Sequence, residues 1–114
     1  MEELKLPVIK KLYELYKLFY SYRVLVPKQD RFAIWQQCDN IMLDIFENAM
    51  FAVYSQKLEK NAILKHVSKK LNVLRILIRL MKETSVLDNK KYIALQEYID
   101  EIGRMIGGWM RSEY

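Results

Sequence analysis

Lys60-Asn-Ala-Ile-Leu-Lys-His-Val-Ser-Lys-Lys-Leu-Asn-Val-Leu-Arg-Ile-Leu-Ile-Arg-Leu-Met-Lys82 is the stretch that decides the fold. Leu64, Val67, Leu71, Leu74, Ile78 and Met81 alternate at spacings of three and four, which puts them on one stripe of an α-helix. The same stretch carries Lys60, Lys65, Lys69, Lys70, Arg75, Arg79 and Lys82 and no acid. It therefore predicts both a helix that must bury one side and an unusual field of positive charge.

The flanking sequence repeats the pattern. Pro7 is a favoured first-turn residue, because its missing N–H would be unpaired there anyway, and it leads into a seam of Val8, Leu12, Leu15, Phe19 and Tyr22. A second segment carries Trp35, Cys38, Met42, Ile45, Ala49 and Ala52. A last one follows Asp88, an N-cap residue by type, with Tyr92, Leu95, Ile99, Ile102, Ile106 and Trp109. Breaks are expected at Val26-Pro27-Lys28, around Ser55–Asn61 and at Thr84–Asn89. The spacing predicts helices over about 7–25, 30–56, 61–84 and 89–111, in a single domain spanning 1–114. Four seams need one another for burial, and short connections make successive helices antiparallel. The expected fold is all-α, an up-down-up-down four-helix bundle.

Composition bounds the rest. An apolar share of 52% supports a real core, and 114 residues leave no room for a second. No apolar run approaches the ~20 residues of a membrane span, so no membrane role is expected, and Met1–Lys5 does not open a signal peptide. Cys38 is the lone cysteine, which gives no disulfide framework and points to the cytoplasm.

Some apolar residues lie off the seams. Val73, Ile76 and Leu80 fall on an arc roughly opposite the stripe of the third segment. The second segment is apolar nearly all round, with Ile41 and Phe46 among the extra residues. A helix with two apolar faces in a four-helix bundle touches another subunit. A homo-oligomer is expected, with Val73, Ile76, Leu80, Ile41 and Phe46 at its interface.

Residues 57–83 hold eight bases against Glu59 and Glu83, a local charge of +6, while the rest of the chain carries −1 of the total +5. Such a separated positive field favours a polyanion. Lys65, Asn72, Arg75, Arg79 and Lys82 fall on one flank and Lys69 borders it; their cations are expected to stand unneutralised, where with Asn72 they can contact the phosphates and sugars of RNA or DNA. The rivals are a solvated helix face and internal pairing with Glu97, Asp100 and Glu101, or with Asp39, Asp44 and Glu47. Tyr13, Tyr16, Tyr20, Tyr22 and Phe19 can stack unpaired bases, although their helical spacing reads first as packing.

Catalytic chemistry finds little support. His66 has no Cys, Asp or Glu at metal-ligand spacing. Cys38 falls on a core seam, where it reads as a small apolar residue. The glycines near the C-terminus lack the strand and Lys-Ser/Thr of a phosphate loop. No enzyme activity, metal, cofactor or small-molecule substrate is expected.

Glu101-Ile-Gly-Arg-Met-Ile-Gly-Gly-Trp109 is the least ordinary segment. Each interior helical glycine costs about 1 kcal/mol relative to alanine. Gly103 and Gly107 share a face that would admit a neighbouring helix or a ring such as Trp35. Either Trp109 closes the end of the core, or Gly107-Gly108 ends the helix and Trp109 folds back.

This segment, with Gly103, Arg104, Gly107, Gly108 and Trp109, resembles the accessory variability determinant (Avd) proteins of diversity-generating retroelements. Leu6-Pro7-Val8-Ile9, Leu12–Tyr16, Pro27-Lys28 and Arg31-Phe32 extend the resemblance over nearly the whole chain. The resemblance implies a four-helix bundle assembling into a barrel-shaped homopentamer. It also implies binding to the element's reverse transcriptase and to nucleic acid, in support of complementary DNA synthesis with errors at adenines. Asp39-Asn40 departs from the pattern by interrupting a region expected to be apolar. A cousin group encoded by intervening sequences of 23S ribosomal RNA genes shares the opening, but its Ser-Ile-Pro-Ser-Asn-Ile-Ala-Glu-Gly-like tract has no counterpart here. A pure protein-interaction module is the remaining alternative.

Overall fold

The computed structural model describes residues 6–112. Among them every regular element is helical: α1 (Pro7–Ser21), a 3₁₀ turn (Arg23–Leu25), α2 (Lys28–Arg31), α3 (Ile34–Val53), α4 (Lys57–Glu83) and α5 (Asn89–Arg111). The four long helices form the bundle. No helix is long and apolar enough to cross a membrane.

Side-chain pairs fix the direction of each neighbour. Across α1 and α3, Tyr13 meets Phe46, Tyr16 meets Asp39 and Phe19 meets Trp35. Across α1 and α5, Lys11 meets Glu101 and Tyr22 meets Lys91. Across α4 and α5, Arg75 meets Asp100 and Lys82 meets Tyr92. In each series the partner's number falls as the first number rises, so these neighbours run antiparallel. A connection of only Tyr54–Gln56 makes α3 and α4 antiparallel as well.

The α4 seam is buried as the spacing predicts, with Leu64, Val67, Leu71, Leu74, Ile78 and Met81 all at 2% exposure or less. Ile9 joins the α1 seam, and Leu95, Ile99, Ile102 and Ile106 complete the core from α5. Tyr22, Tyr92 and Trp109 are half-buried at its margins. Phe19 and Trp35 lie face to face, with ring centroids 3.7 Å apart and 5° between planes. Val26 and Leu87, from the connections, close this end of the bundle.

Three expectations are corrected. The second helix does not run unbroken from 30 to 56. Arg31 turns back, donating from Nε to the Val26 carbonyl at 2.9 Å, which holds α2 as a separate corner before α3. The first helix ends at Ser21, and the remainder of 7–25 tightens into the 3₁₀ turn. Ile41, expected at a subunit interface, is core at 4% exposure. The apolar stripe of α3 is simply wider than its three-four seam.

Polar groups pin the packing at chosen points. The Tyr16 hydroxyl donates to Asp39 Oδ1 at 2.7 Å, tying α1 to α3. Burial, and then this carboxylate, pushes the Tyr16 phenol up to about 12. Asp39, which departs from the apolar pattern, is thus an intramolecular anchor. Asn40 accepts from Gln36 on its own helix. Asp88 caps α5, accepting from the Lys91 N–H at 2.8 Å. The Lys91 ammonium and N–H hold the Asp88 carboxyl below the usual carboxylate range.

The end of α4 carries a local strain. Val86 N–H bonds to the Met81 carbonyl and Ser85 N–H to the Lys82 carbonyl, the paired bonds of a Schellman motif. Ser85 takes the left-handed position at φ 63°, which costs a non-glycine residue about 1 kcal/mol. Ser85→Gly is therefore expected to stabilise the fold by roughly 0.5–1 kcal/mol. Thermal unfolding followed by circular dichroism measures this, and a lowered Tm contradicts it.

Candidate nucleic-acid interface

Burial of the α4 seam fixes the rotation of the helix, and its cations then leave in different directions. Lys60 turns inward and is buried. Lys70 faces α3, where its ammonium lies 3.6 Å from Asp44 Oδ2. His66 Nε2 stands 3.4 Å from the same oxygen. Arg75, Arg79 and Lys82 lie on the flank beside α5, and helical period puts Lys65 and Lys69 further round, toward the outer face.

That flank is only partly free. Arg75 Nη2 donates to Asp100 Oδ1 at 3.0 Å, and Nη1 donates to Asn72 Oδ1 at 2.9 Å. Gln96 Nε2 donates to the Arg75 carbonyl at 3.0 Å, which clamps the two helices at the same level. Arg79 Nε lies 3.6 Å from Glu83 Oε2, one turn along. The expectation that both arginines stand unneutralised is not met. Register across a helix pair decides which acid faces which base, and helical period alone does not give it. Asp100 and Glu101 also separate, Asp100 toward α4 and Glu101 toward Lys11 on α1 at 3.3 Å.

Lys65 and Lys69 are exposed and have no ion-pair or ring partner among the described residues. Lys82 extends over the Tyr92 ring, 4.8 Å from its centroid, with no carboxylate attached. Across the groove Arg104 is exposed and equally unpartnered. Ser68, Asn72, Arg75, Asp100, Gly103 and Arg104 line one concavity. Arg104 is the residue the charge run concealed, because it belongs to a different helix. Its place four residues after Asp100 was the available signal.

Gly103 lines this concavity. A Cβ there would lie 3.7 Å from Arg75 Nη2, an ordinary van der Waals contact, so the guanidinium does not itself require glycine. No Trp35 ring approaches it, since Trp35 stacks on Phe19. At Gly107 the nearest group is the Arg111 guanidinium, at 3.3 Å, and Gly108 faces open space. The helix continues through both to Arg111, so Trp109 stays helical and does not fold back.

Other singled-out side chains serve packing. Cys38 is fully buried, and burial pushes its thiol up to about 12, so it stays protonated at neutral pH. Of the α1 aromatics, Tyr13 and Tyr20 are exposed, while Tyr16 and Tyr22 are half-buried. On the outer face of α4, Val73, Ile76 and Leu80 are 50%, 61% and 45% exposed. Phe46 is half-buried against the core and tilted on the Tyr13 ring.

The site is thus a groove between two antiparallel helices of an all-α bundle, edged by cations. Comparison with known families gives its lineage: the chain belongs to the bAvd-like family, whose model matches residues 7–113. No curated protein matches the sequence.

The Arg75–Asp100 pair is well exposed, at 36% and 54%, and a pair of this kind contributes at most about 1 kcal/mol. Asp100→Asn is expected to free Arg75 and tighten binding to heparin by up to about fivefold. Elution from a heparin column at higher salt is the readout. Unchanged or earlier elution means that Arg75 does not reach the polyanion.

Proposed function

We propose that this protein is a non-enzymatic accessory protein of a diversity-generating retroelement. It binds the template RNA or its complementary DNA through the α4–α5 flank and supports mutagenic synthesis by the element's reverse transcriptase. It acts as a homo-oligomer, a pentamer on the family resemblance. The observation that carries this reading is a set of cations unpartnered among the described residues, Lys65 and Lys69 exposed on α4 and Arg104 lining the α4–α5 groove, on a chain of the bAvd-like family. Arg75, Arg79 and Lys82 are auxiliary contacts, available when a phosphate displaces weak exposed partners. Asn72 and Ser68 add hydrogen bonds to sugar or phosphate.

Subunits meet through the outer arc of α4. Val73, Ile76 and Leu80 lie on successive turns, and apolar area removed from water there contributes about 25 cal/mol per Å². Ile41 has no part in this contact, being buried within its own bundle.

RNA affinity is expected to fall steeply with salt, with a log–log slope of about −0.7 per phosphate neutralised on a single strand. Lys65→Glu with Lys69→Glu should weaken binding about tenfold or more and flatten that slope, with the helical circular dichroism signal unchanged. Fluorescence anisotropy with labelled template RNA measures both. Wild-type affinity in the double variant removes the interface from this flank, and retention of the reverse transcriptase after nuclease treatment would then leave a protein-only contact.

Ile76→Asp with Leu80→Asp should convert the assembly to single chains in light scattering, because two charges would be desolvated at the contact. An unchanged mass places the interface elsewhere.

A further inference from the structure

The two ends of the bundle differ. Val26 and Leu87 plug one end. At the other, where α1 and α4 begin and α3 and α5 finish, a cavity of about 540 Å³ opens. Its walls include Leu6, Val8, Val53, Met105 and Trp109, and Lys60 reaches it from the first turns of α4. Cavities that hold small ligands span roughly 300–1,000 Å³ and combine apolar walls with a few placed polar groups.

Lys60 is the feature that needs a reason. It is 3% exposed, and among the described residues it is the one charged side chain that is buried. It has no ion-pair, hydrogen-bond or ring partner there. Helical period puts it on the core-facing side of α4, one turn before Leu64. The stem is sealed, but the ammonium is not among the buried side-chain atoms that lack a partner, so the tip reaches the open space of the cavity that Lys60 lines. The site therefore has an apolar body and one positive point at its wall. A nucleic-acid backbone does not suit it, since repeated phosphates would sit against hydrocarbon. A neutral hydrocarbon leaves the ammonium unanswered.

We infer that this cavity is a binding site for a small amphipathic monocarboxylate, with its carboxylate on the Lys60 ammonium and its aliphatic or aromatic body along Val53, Met105 and Trp109. The site is separate from the flank that carries Lys65 and Lys69, and occupancy does not require nucleic acid. Trp109 gives it an optical reporter, because Trp35 is buried at the far end of the bundle against Phe19.

The test is calorimetry on the full chain with decanoate, decan-1-ol and decyltrimethylammonium, which share a tail and differ in head charge. Decanoate is expected to bind once per chain and to shift the tryptophan emission, and Trp109→Phe should remove that shift. Decyltrimethylammonium should bind about tenfold more weakly or worse, a comparison that needs no variant. Lys60→Met should weaken decanoate about tenfold or more and change decan-1-ol less than about twofold. Absence of decanoate binding overturns the inference. So does equal binding of decanoate and decan-1-ol, or equal binding of decanoate by wild type and Lys60→Met.

Discussion

The rotation of α4 about its own axis is the constraint from which the rest follows. Six apolar side chains from Leu64 to Met81 are sealed at 2% exposure or less. Turning the helix by one residue in one direction would bring Lys65, Arg75, Arg79 and Lys82 toward the core in their place, at a cost of several kcal/mol for each buried charge. Turning it the other way would bury His66 and Lys70 and lose the contact of Lys70 with Asp44. The observed rotation sends Lys70 and His66 toward α3, Arg75 and Lys82 toward α5, and Val73, Ile76 and Leu80 straight outward. The charge pattern of the surface is therefore a consequence of core packing.

Within that arrangement the flank beside α5 is held loosely. Arg75 is positioned by Asn72 and Asp100, and its backbone carbonyl by Gln96, but the Arg75–Asp100 and Arg79–Glu83 ion pairs are substantially exposed. Water screens such pairs, and salt screens them further. They orient the guanidinium groups without consuming much of their attraction for another anion. Lys65, Lys69 and Arg104 need no release at all. A polyanion reaching this groove would meet free cations first and recruit the paired ones afterwards.

How much of this the sequence disclosed depended on whether one helix or two set the answer. The α4 seam and the Asp88 cap were legible, because each rests on spacing within a single segment. The outer arc of α4 was legible for the same reason. Ile41 was misplaced because the width of an apolar stripe depends on how closely neighbours pack, which no single-helix period contains. The break before Ala33 was hidden because an arginine side chain, Arg31, does the work a glycine or proline more often does. Arg75 was read as free because its partner lies 25 residues away on another helix. Arg104, named only within the Gly103–Trp109 motif, was not legible as a groove cation because the groove is built by two helices.

The outer apolar arc and the cationic flank are neighbours on the same helix, and that adjacency couples them. Lys69 borders the arc that carries Val73, Ile76 and Leu80. Covering the arc with a second copy, as we propose, partly desolvates Lys69 and brings the basic flanks of two copies closer together. Like charges drawn together in a partly dry setting repel more strongly than they do in water. Apolar burial favours the assembly, charge opposes it, and a phosphate chain lying along the junction would relieve the opposition while gaining several contacts at once. On this reasoning the absence of acids from Lys60 to Lys82 has a purpose that a solvated face would not need. Acids placed there would quiet the repulsion permanently and leave nothing for the nucleic acid to neutralise.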